Sequence, residues 1–394
     1  MRIRRALSLA CLTVVATLIA AALVAHQRLT VSEIRSTAVD RSELLPPEQP
    51  SPGDWPWWRG RNQDSIVPGG PQAIEWSVAA NVRWKAPIPG RGHATPCTWG
   101  DRVFVPTADE DAQTERLLCF DLRSGAERWS IELSAGGFGL KHPKNSYASS
   151  SPACDGAHVY HSFAAHGELW VAAVTLDGRL AWKHSAGNFP ANLEHGYAAS
   201  LLLFEGTVIV AGDCYRGFSR LRLFAAPFRN TGFLTALDRR TGAVVWRVHR
   251  DNPANNYASP IVARLADRWQ LLLPGPARIV AYDPQTGDEL WWCRWKPERA
   301  ANSVAVLGDE VIASGMYPNQ EIVCVRADGR GDVSETHVRW RSTKNACDVP
   351  SPLVYDGRLY LLGDDGVLTC VNPDDGRVAW RQRLGGNFTA GPIV

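Results

Sequence analysis

Seven connecting segments of the sequence carry a polar side chain in equivalent places, just ahead of a short apolar stretch. Asn and His side chains both donate and accept hydrogen bonds, and an ionised Asp accepts them. A ring of such groups beside aromatic rings in a concavity can hold a small ligand or a peptide. The predicted ligand-binding residues are His93, Asn145, Tyr147, His195, Tyr197, Asn256, Tyr257, Asn302, Asp348 and Asn387, with Phe388 beside the last of them.

The same pattern also has a purely structural interpretation. Asn and Asp cap turns, and Ser-Pro or Thr-Pro pairs begin edge strands. Because six or seven segments share the pattern, a structural role has to explain most of it. The sequence contains no nucleophile elbow, phosphate-binding loop or HExxH motif, so no catalytic residue is predicted. The histidines His142, His158, His161, His166 and His184 are interpreted as surface or core residues.

The elements that would position these segments are indicated by a repeated phrase that ends in tryptophan. Copies include FDLRSGAERW at 120–129 and AYDPQTGDELW at 281–291, and most copies are 40 to 53 residues apart. A period of about 40–50 residues built from short strands and tight turns is typical of a β-propeller. The repeat tryptophans, predicted to fill the wedges between neighbouring blades, are Trp84, Trp129, Trp182, Trp246, Trp291, Trp340 and Trp380.

One copy of the repeat reads as four strands joined by Asp-Gly turns. In residues 350–383 these turns fall at Asp356-Gly357, Asp365-Gly366 and Asp375-Gly376. Such turns predict a four-stranded antiparallel blade, because glycine adopts the positive φ that they need. The fold is therefore predicted to be all-β, with the polar segments on one face of the ring. Six full blades are predicted at 92–134, 146–186, 196–250, 256–296, 301–342 and 349–384.

The N-terminal segment differs from the repeats. Three arginines within residues 1–5 precede an uncharged apolar stretch at 6–25. This pattern predicts a signal peptide or an N-terminal membrane anchor over residues 1–25, or a lipid attachment at Cys11. Residues 26–53 are polar and then proline-rich, as in a linker. Each alternative places residues 54–394 outside the cytoplasm, on the periplasmic side of the cell envelope or secreted.

Composition and cysteine spacing exclude several kinds of site. The net charge of +2 provides no electrostatic basis for binding nucleic acid. Eight cysteines besides Cys11 form no Cys-x-x-Cys pair, so neither zinc nor any other metal is predicted. Most of these cysteines fall in apolar strands and are expected to be buried free thiols.

The repeat AxDxxTGxxxW, with SPxxxDGRVY strands between its copies, resembles the pyrroloquinoline quinone (PQQ) type of propeller repeat. Quinoprotein alcohol and glucose dehydrogenases carry that repeat, and so do non-catalytic propellers such as BamB of the outer-membrane β-barrel assembly machinery. The stretches DWPWWRGRNQDS at 54–65 and VRWKAPIPGRGHATPCTWGDRVFV at 82–105 resemble the secreted BamB-like propellers of Planctomycetes-type bacteria. The resemblance covers residues 54–394.

The resemblance implies a scaffold more than an enzyme. The dehydrogenases hold their quinone with a Cys-Cys disulfide and need calcium bound by Glu, Asn and Asp, and this sequence has no Cys-Cys and no such motif. The leading hypothesis is a non-catalytic envelope scaffold that binds envelope proteins and needs no cofactor. The alternatives are a PQQ-dependent dehydrogenase and a sugar- or peptide-binding module.

The number of blades is the point at which the sequence departs from the resemblance. The family usually closes with eight blades, whereas GNFTAGPIV at 386–394 reads as the first strand of a blade that does not continue. A C-terminally truncated propeller is therefore expected. The alternative is a six-bladed or irregular seven-bladed ring, closed by pairing 390–394 with 80–88.

A long insertion at 213–232 interrupts the third blade. Long loops on rigid scaffolds are often functional, and arginine and aromatic side chains are enriched in protein interfaces. The segment is predicted to bind a partner, with a short helix folded onto the propeller as the alternative. Its candidate contact residues are Arg216, Phe218, Arg220, Arg222, Phe224, Phe228 and Arg229.

Overall fold

The computed structural model describes residues 34, 49–67, 69, 75–77, 79–189, 195–213, 232–250 and 254–394. Within these ranges the chain forms 25 strands and no helix, which confirms the all-β prediction. It follows that none of the described segments is a helix able to cross a membrane. The predicted leader at 1–25, most of the linker and the candidate partner residues between Arg216 and Arg229 lie outside the described residues.

The first three sheets are antiparallel and contain four strands each. Sheet one comprises β1 (Cys97–Trp99), β2 (Arg102–Asp109), β3 (Thr114–Asp121) and β4 (Glu127–Ala135). Sheet two comprises β5 (Ala153–Cys154), β6 (His158–Ala165), β7 (Glu168–Thr175) and β8 (Leu180–Asn188). Sheet three comprises β9 (Leu202–Phe204), β10 (Thr207–Gly212), β11 (Phe233–Asp238) and β12 (Val244–His249).

The remaining three sheets repeat the arrangement with one addition. Sheet four comprises β13 (Ile261–Leu265), β14 (Arg268–Gly275), β15 (Arg278–Tyr282) and β16 (Glu289–Arg294), and β20 (Gly331–Asp332) pairs with β16 in parallel. Sheet five comprises β17 (Ala305–Leu307), β18 (Glu310–Gly315), β19 (Glu321–Arg326) and β21 (Val338–Ser342). Sheet six comprises β22 (Leu353–Tyr355), β23 (Arg358–Leu362), β24 (Val367–Val371) and β25 (Val378–Arg383). The six sheets are the six predicted blades.

The burial of the strands follows their position in the blade. The middle strands β10 and β11 are buried along their whole length, although their sequences TVIVAG and FLTALD include threonines and an aspartate. A strand that is buried on both faces needs a neighbouring sheet on each side. The outer strand β12 is only partly buried. The apolar core therefore lies between the blades.

The turn that follows the third strand of a blade is built from Asp and Gly. In blade three Asp238 Oδ1 accepts hydrogen bonds from Arg240 N at 2.9 Å and Thr241 N at 2.8 Å, and Gly242 takes φ +74°. The carboxylate replaces hydrogen bonds that the chain reversal removes, and glycine accepts the left-handed conformation at little cost. This is the physical origin of the Asp-x-x-x-Gly phrase.

Each such turn serves as the docking site for the tryptophan of the preceding repeat. Trp129 donates its Nε1–H to Leu176 O at 3.0 Å, and Trp182 donates to Arg239 O at 2.9 Å. Trp84 and Trp340 make the same bond, to Leu122 O at 2.9 Å and Pro373 O at 2.6 Å. In all four cases the glycine of the receiving turn lies against the indole. The rings thus join one blade to the next.

Three repeat tryptophans depart from this hydrogen-bonding pattern. Trp246 is fully buried against Gly287 of blade four, but its Nε1 has no hydrogen-bond partner in the described structure. Trp291 donates to Gln270 Oε1 at 2.7 Å, and Gln270 Nε2 in turn donates to Ala327 O of blade five at 2.9 Å. Trp380 of blade six is 44% exposed. The described residues therefore cover the tryptophan of blade six less than the repeat tryptophans of the other blades.

The segment at 54–67 runs along the inner strands and fills the centre of the ring. Trp55 O accepts Thr98 N of blade one, and Pro56 O accepts Cys154 N of blade two, both at 2.8 Å. Gln63 Oε1 accepts Val262 N of blade four at 2.8 Å. The segment satisfies inner-edge N–H groups that would otherwise face the channel.

The C-terminal residues pair with this segment. Val394 N donates to Ser65 O at 3.1 Å, and Val67 N donates to Val394 O at 2.6 Å. The alternative prediction of pairing between 390–394 and 80–88 is therefore wrong. Trp84 instead holds the neighbourhood of 80–88 against blade one through its bond to Leu122 O.

Candidate functional site

A cavity of about 630 Å³ opens where the loops between successive blades converge. Its volume lies within the range of about 300–1,000 Å³ that is usual for small-molecule sites. The lining residues come from loops of all six blades, from the central segment and from the C-terminal residues. They are Trp55, Trp58, Arg59, Ser65, His93, Thr95, His142, Lys144, Asn145, Ser149, His195, Ala198, Tyr257, Arg299, Ala301, Asp348, Val349, Ser351, Thr389, Ala390, Gly391 and Ile393.

The structure brings half of the predicted ligand-binding residues to this cavity, namely His93, Asn145, His195, Tyr257 and Asp348. Their loops are cross-linked by hydrogen bonds. Asn145 Nδ2 donates to His195 O at 2.6 Å, and the His195 ring meets the Tyr257 ring edge-on at 5.3 Å. The polar positions of different repeats thus converge because the ring places equivalent loops side by side.

Two of the three predicted asparagines that do not line the cavity are buried. Asn256 is buried, and its Nδ2 donates to Asp213 Oδ2 and to Pro274 O, both at 3.0 Å. Asn302 is also buried and donates to Asp348 O at 3.0 Å. Both side chains hold neighbouring loops together through these hydrogen bonds. This is the structural role that turn asparagines commonly have, so the capping interpretation applies to these two residues.

The remaining predicted residues also lie away from the cavity. Tyr147 stacks on Phe138 at 4.0 Å and donates its hydroxyl to Gly139 O. Tyr197 is buried, with its hydroxyl 3.2 Å from Ser162 Oγ. Asn387 is exposed, beside a half-buried Phe388. Spacing along the sequence cannot tell which side of a loop faces the channel.

The floor of the cavity comes from residues that the pattern of polar loops did not single out. Trp55, Trp58, Arg59 and Ser65 belong to the central segment at 54–67. Three other cavity residues, His142, Lys144 and Arg299, were likewise not predicted as site residues. The one available signal for the floor was the unusual density of tryptophan in DWPWWRGRNQDS.

Two side chains on the loops around the cavity, His93 and Asp348, have shifted pKa values. Partial burial lowers the pKa of His93, and the nearby charges of Arg91 and Lys141 lower it further. Burial raises the pKa of Asp348, as does the neighbouring Asp364 carboxylate, while Arg299 opposes the rise. Both shifts favour the neutral form of the group, which is expected at a partly desolvated channel mouth.

The residues present do not match the PQQ cradle that the resemblance implies for the dehydrogenases. The seven cysteines in the described part of the chain are free and buried, and none of them lines the cavity. Among the described residues no group of three or more His, Cys, Asp or Glu side chains is placed to hold a metal ion. Asp348 is the one carboxylate among the described residues of the cavity wall. The disulfide and calcium ligands of a quinoprotein therefore have no counterpart in the described site.

Comparison with known families decides the relationship. The family described as outer membrane protein assembly factor BamB matches residues 62–213 and 230–391. The chain belongs to this family. The BamB protein of Yersinia pestis is 20% identical over 294 residues, which are 74% of this chain and 57% of that protein. The chain therefore spans less than two thirds of this relative.

Solved structures show the same fold at low sequence identity. BamB from Moraxella catarrhalis superposes with a TM-score of 0.51 at 17% identity, over 76% of this chain and 82% of that one. A europium-containing methanol dehydrogenase gives 0.57 at 10% identity, over 87% of both chains. A quinohemoprotein alcohol dehydrogenase from Pseudomonas putida HK5 gives 0.55 at 13% identity, over 76% of this chain and 60% of that one. These likenesses establish the propeller fold alone, because scaffolds and enzymes share it.

Proposed function

We propose that this protein is a non-catalytic propeller scaffold on the periplasmic side of the cell envelope, where it binds proteins that assemble the outer membrane. The match of the BamB family to residues 62–213 and 230–391 carries the proposal. The name of the relative from Yersinia pestis states a role in outer-membrane protein assembly. The proposal transfers that role to this chain.

The architecture supports a scaffold. Blade-to-blade bonds such as those of Trp129 and Trp182 hold a stiff ring, and the loops between strands can then present side chains at fixed positions. The insertion at 213–232, with its arginines and phenylalanines, is the proposed partner-binding segment. The residues preceding the propeller are proposed to direct it to the envelope, as a membrane anchor or as a cleaved signal.

A PQQ-dependent dehydrogenase is the competing function, favoured by the dehydrogenase structures of the same fold. The sequence weighs against it because adjacent cysteines are absent. The described lining of the cavity also holds a single carboxylate, whereas a calcium ion usually takes about six to eight oxygen ligands with carboxylates among them.

The proposal is tested in the bacterium that makes the protein. Deleting its gene should lower the amount of folded outer-membrane β-barrel proteins, and the tagged protein should co-purify with assembly proteins of that membrane. Replacing residues 214–230 by a Gly/Ser linker of equal length should abolish co-purification and leave the melting temperature unchanged. As the matched control, Arg377→Gln on an 87% exposed side chain should leave co-purification intact.

The competing function is examined on the same purified protein. Saturable binding of PQQ together with calcium, followed by dye-linked oxidation of an alcohol or sugar, would establish a quinoprotein. That result, combined with unchanged outer-membrane protein levels in the deletion strain, would overturn the scaffold proposal.

A further inference from the structure

The floor of the 630 Å³ cavity is aromatic and rigidly held. Trp55 donates its backbone N–H to Thr98 Oγ1 at 2.7 Å, and its carbonyl accepts Thr98 N at 2.8 Å. Trp58 Nε1 donates to Ser303 Oγ at 3.0 Å. Gly60 lies so close to Trp55 that an added Cβ would be 2.7 Å from its ring. The two indoles are therefore fixed before any ligand arrives.

A buried cation lies in the same floor. Arg59 is only 4% exposed. Its guanidinium donates hydrogen bonds to Ser65 Oγ at 3.0 Å, Val304 O at 2.7 Å and Pro352 O at 2.9 Å. All three acceptors are neutral oxygens. Burial lowers the pKa of Arg59 to about 10, so it stays charged at neutral pH. The neighbouring Asp64 carboxylate opposes this lowering of the pKa, and Arg59 contributes a positive charge to the lining of the cavity.

One wall of the cavity presents hydrogen-bond donors. His142 Nδ1 accepts Lys144 N–H at 3.1 Å, so the proton of the neutral imidazole lies on Nε2, which then donates. Arg299 rests on the Tyr317 ring at 3.9 Å, and its Nη1 is 3.4 Å from His195 Nε2. Lys144 is exposed. Among the described residues that line the cavity, the cations Arg59, Lys144 and Arg299 outnumber the one carboxylate, Asp348.

The same lining offers acceptors and hydroxyls. Asp348 and Thr389 belong to it, and Asp348 lies near Arg299, whose positive charge opposes the rise in the pKa of Asp348 that burial causes. A ligand that fits this lining needs negative charge for the cations, hydroxyl groups for Asp348 and Thr389, and a ring with a flat C–H face for the indoles. Polarised C–H bonds are attracted to the negative faces of indole rings.

We infer that the cavity binds an acidic saccharide, with a sugar ring on Trp55 and Trp58, its carboxylate or sulfate toward Lys144 and Arg299, and its hydroxyls toward Asp348 and Thr389. A neutral sugar would leave the cationic wall without a partner. A planar quinone carries no aliphatic hydroxyls for Asp348. This inference adds a glycan-binding role to the proposed scaffold.

The inference is tested by calorimetry and tryptophan fluorescence on the whole protein. The probes are tetrameric galacturonate, glucuronate and mannuronate, a sulfated galactan tetramer, and the neutral galactose tetramer. At least one acidic tetramer should bind at least tenfold more tightly than the neutral one and should change tryptophan emission. Raising the salt concentration should weaken the acidic binding, because Lys144 is exposed to counterions.

Substitutions of lining residues test whether the acidic saccharide binds in this cavity. Lys144→Gln and Arg299→Gln should each weaken the acidic tetramer about tenfold or more, whereas Arg377→Gln on blade six should not. Because Lys144 is exposed, its replacement tests binding without endangering the fold. Equal binding of acidic and neutral tetramers, or no binding of any, overturns the inference. Tighter binding of PQQ or of an acidic peptide, competing at the same residues, also overturns it.

Discussion

Trp246 and Trp380 occupy the same position in two blades, and the structure buries one and exposes the other. Trp246 pairs with Ala236 of the third strand, and Trp380 pairs with Cys370, each beside a register shift in the ladder. Trp246 is 0% exposed and Trp380 is 44% exposed. The position of a tryptophan within its own blade therefore does not decide its burial. The presence of a following blade does.

The whole outer strand shows the same contrast. Strand β12 of blade three has two buried residues, whereas all six residues of β25 in blade six are exposed. Tyr355, Val378 and Leu384 join Trp380 on the exposed surface of blade six. Most of the stability of a propeller comes from sheet-on-sheet contact, so blade six should be the least stable part of the described ring.

Among the substitutions that test this contrast between blades, the largest loss of stability is expected at Trp246. Trp246→Ala removes a fully buried indole between blades three and four. It should lower the free energy of unfolding by about 3–5 kcal/mol. Urea denaturation followed by circular dichroism measures the loss. A loss below about 1 kcal/mol would show that the space between these two blades closes when the indole ring is removed.

The second expected effect concerns the turn beneath that ring. Gly287 has φ +78°, and an added Cβ would lie 2.7 Å from Trp246 Cε3. Gly287→Ala should cost about 2–3 kcal/mol, from left-handed strain and crowding together.

The matched control for Gly287 separates strain from crowding. Gly357 has φ +63° and open space around its Cβ position. Gly357→Ala should cost about 1 kcal/mol, from strain alone. Equal losses of unfolding free energy at the two glycines would contradict the view that the indole presses on the turn.

The third expected effect is a difference in local opening between blades four and six. Cys293 in β16 and Cys370 in β24 are both buried, at 0% and 2% exposure. Pulsed alkylation under native conditions, read by mass spectrometry, should label Cys370 about tenfold faster, a factor equivalent to about 1.4 kcal/mol. Labelling of Cys293 first would show that blade six is not the weaker blade.

The smallest expected effect is at the exposed tryptophan. Trp380→Ala should change the free energy of unfolding by about 1 kcal/mol or less, because much of the ring already contacts water. The same urea denaturation measures it. A loss as large as that of Trp246→Ala would mean that blade six is covered in solution by something other than the described residues.

The fold could be read from the sequence because its signals are local and repeated. The turn at Asp238–Gly242 and the equivalent turns at Asp121–Gly125 and Asp283–Gly287 need only neighbouring residues to form. Only part of the candidate site could be predicted from the sequence. His93, Asn145, His195, Tyr257 and Asp348 were found from their place in the repeat, since symmetry carries equivalent loops to one channel mouth.

The rest of the site could not be predicted because it is set by contacts between distant segments. Trp58 reaches Ser303 and Arg59 reaches Pro352 across more than 240 residues of sequence, and no repeat marks the residues of 54–67. Asn256 and Asn302 share the repeat position of Asn145, but they turn inward to brace loops. Side-chain direction depends on which neighbouring carbonyl is within reach.

The sequence alone determined that this protein forms four-stranded blades whose outer strands carry a tryptophan, because turn chemistry and strand alternation are local. Only the tertiary structure decided that the central segment forms the floor of a cavity, that cations outnumber carboxylates in its described lining, and that the described residues leave the outer strand of blade six exposed. Those properties depend on which surfaces meet once the strands are packed. The repeated sequence pattern is the same in a blade whether or not another surface packs against it.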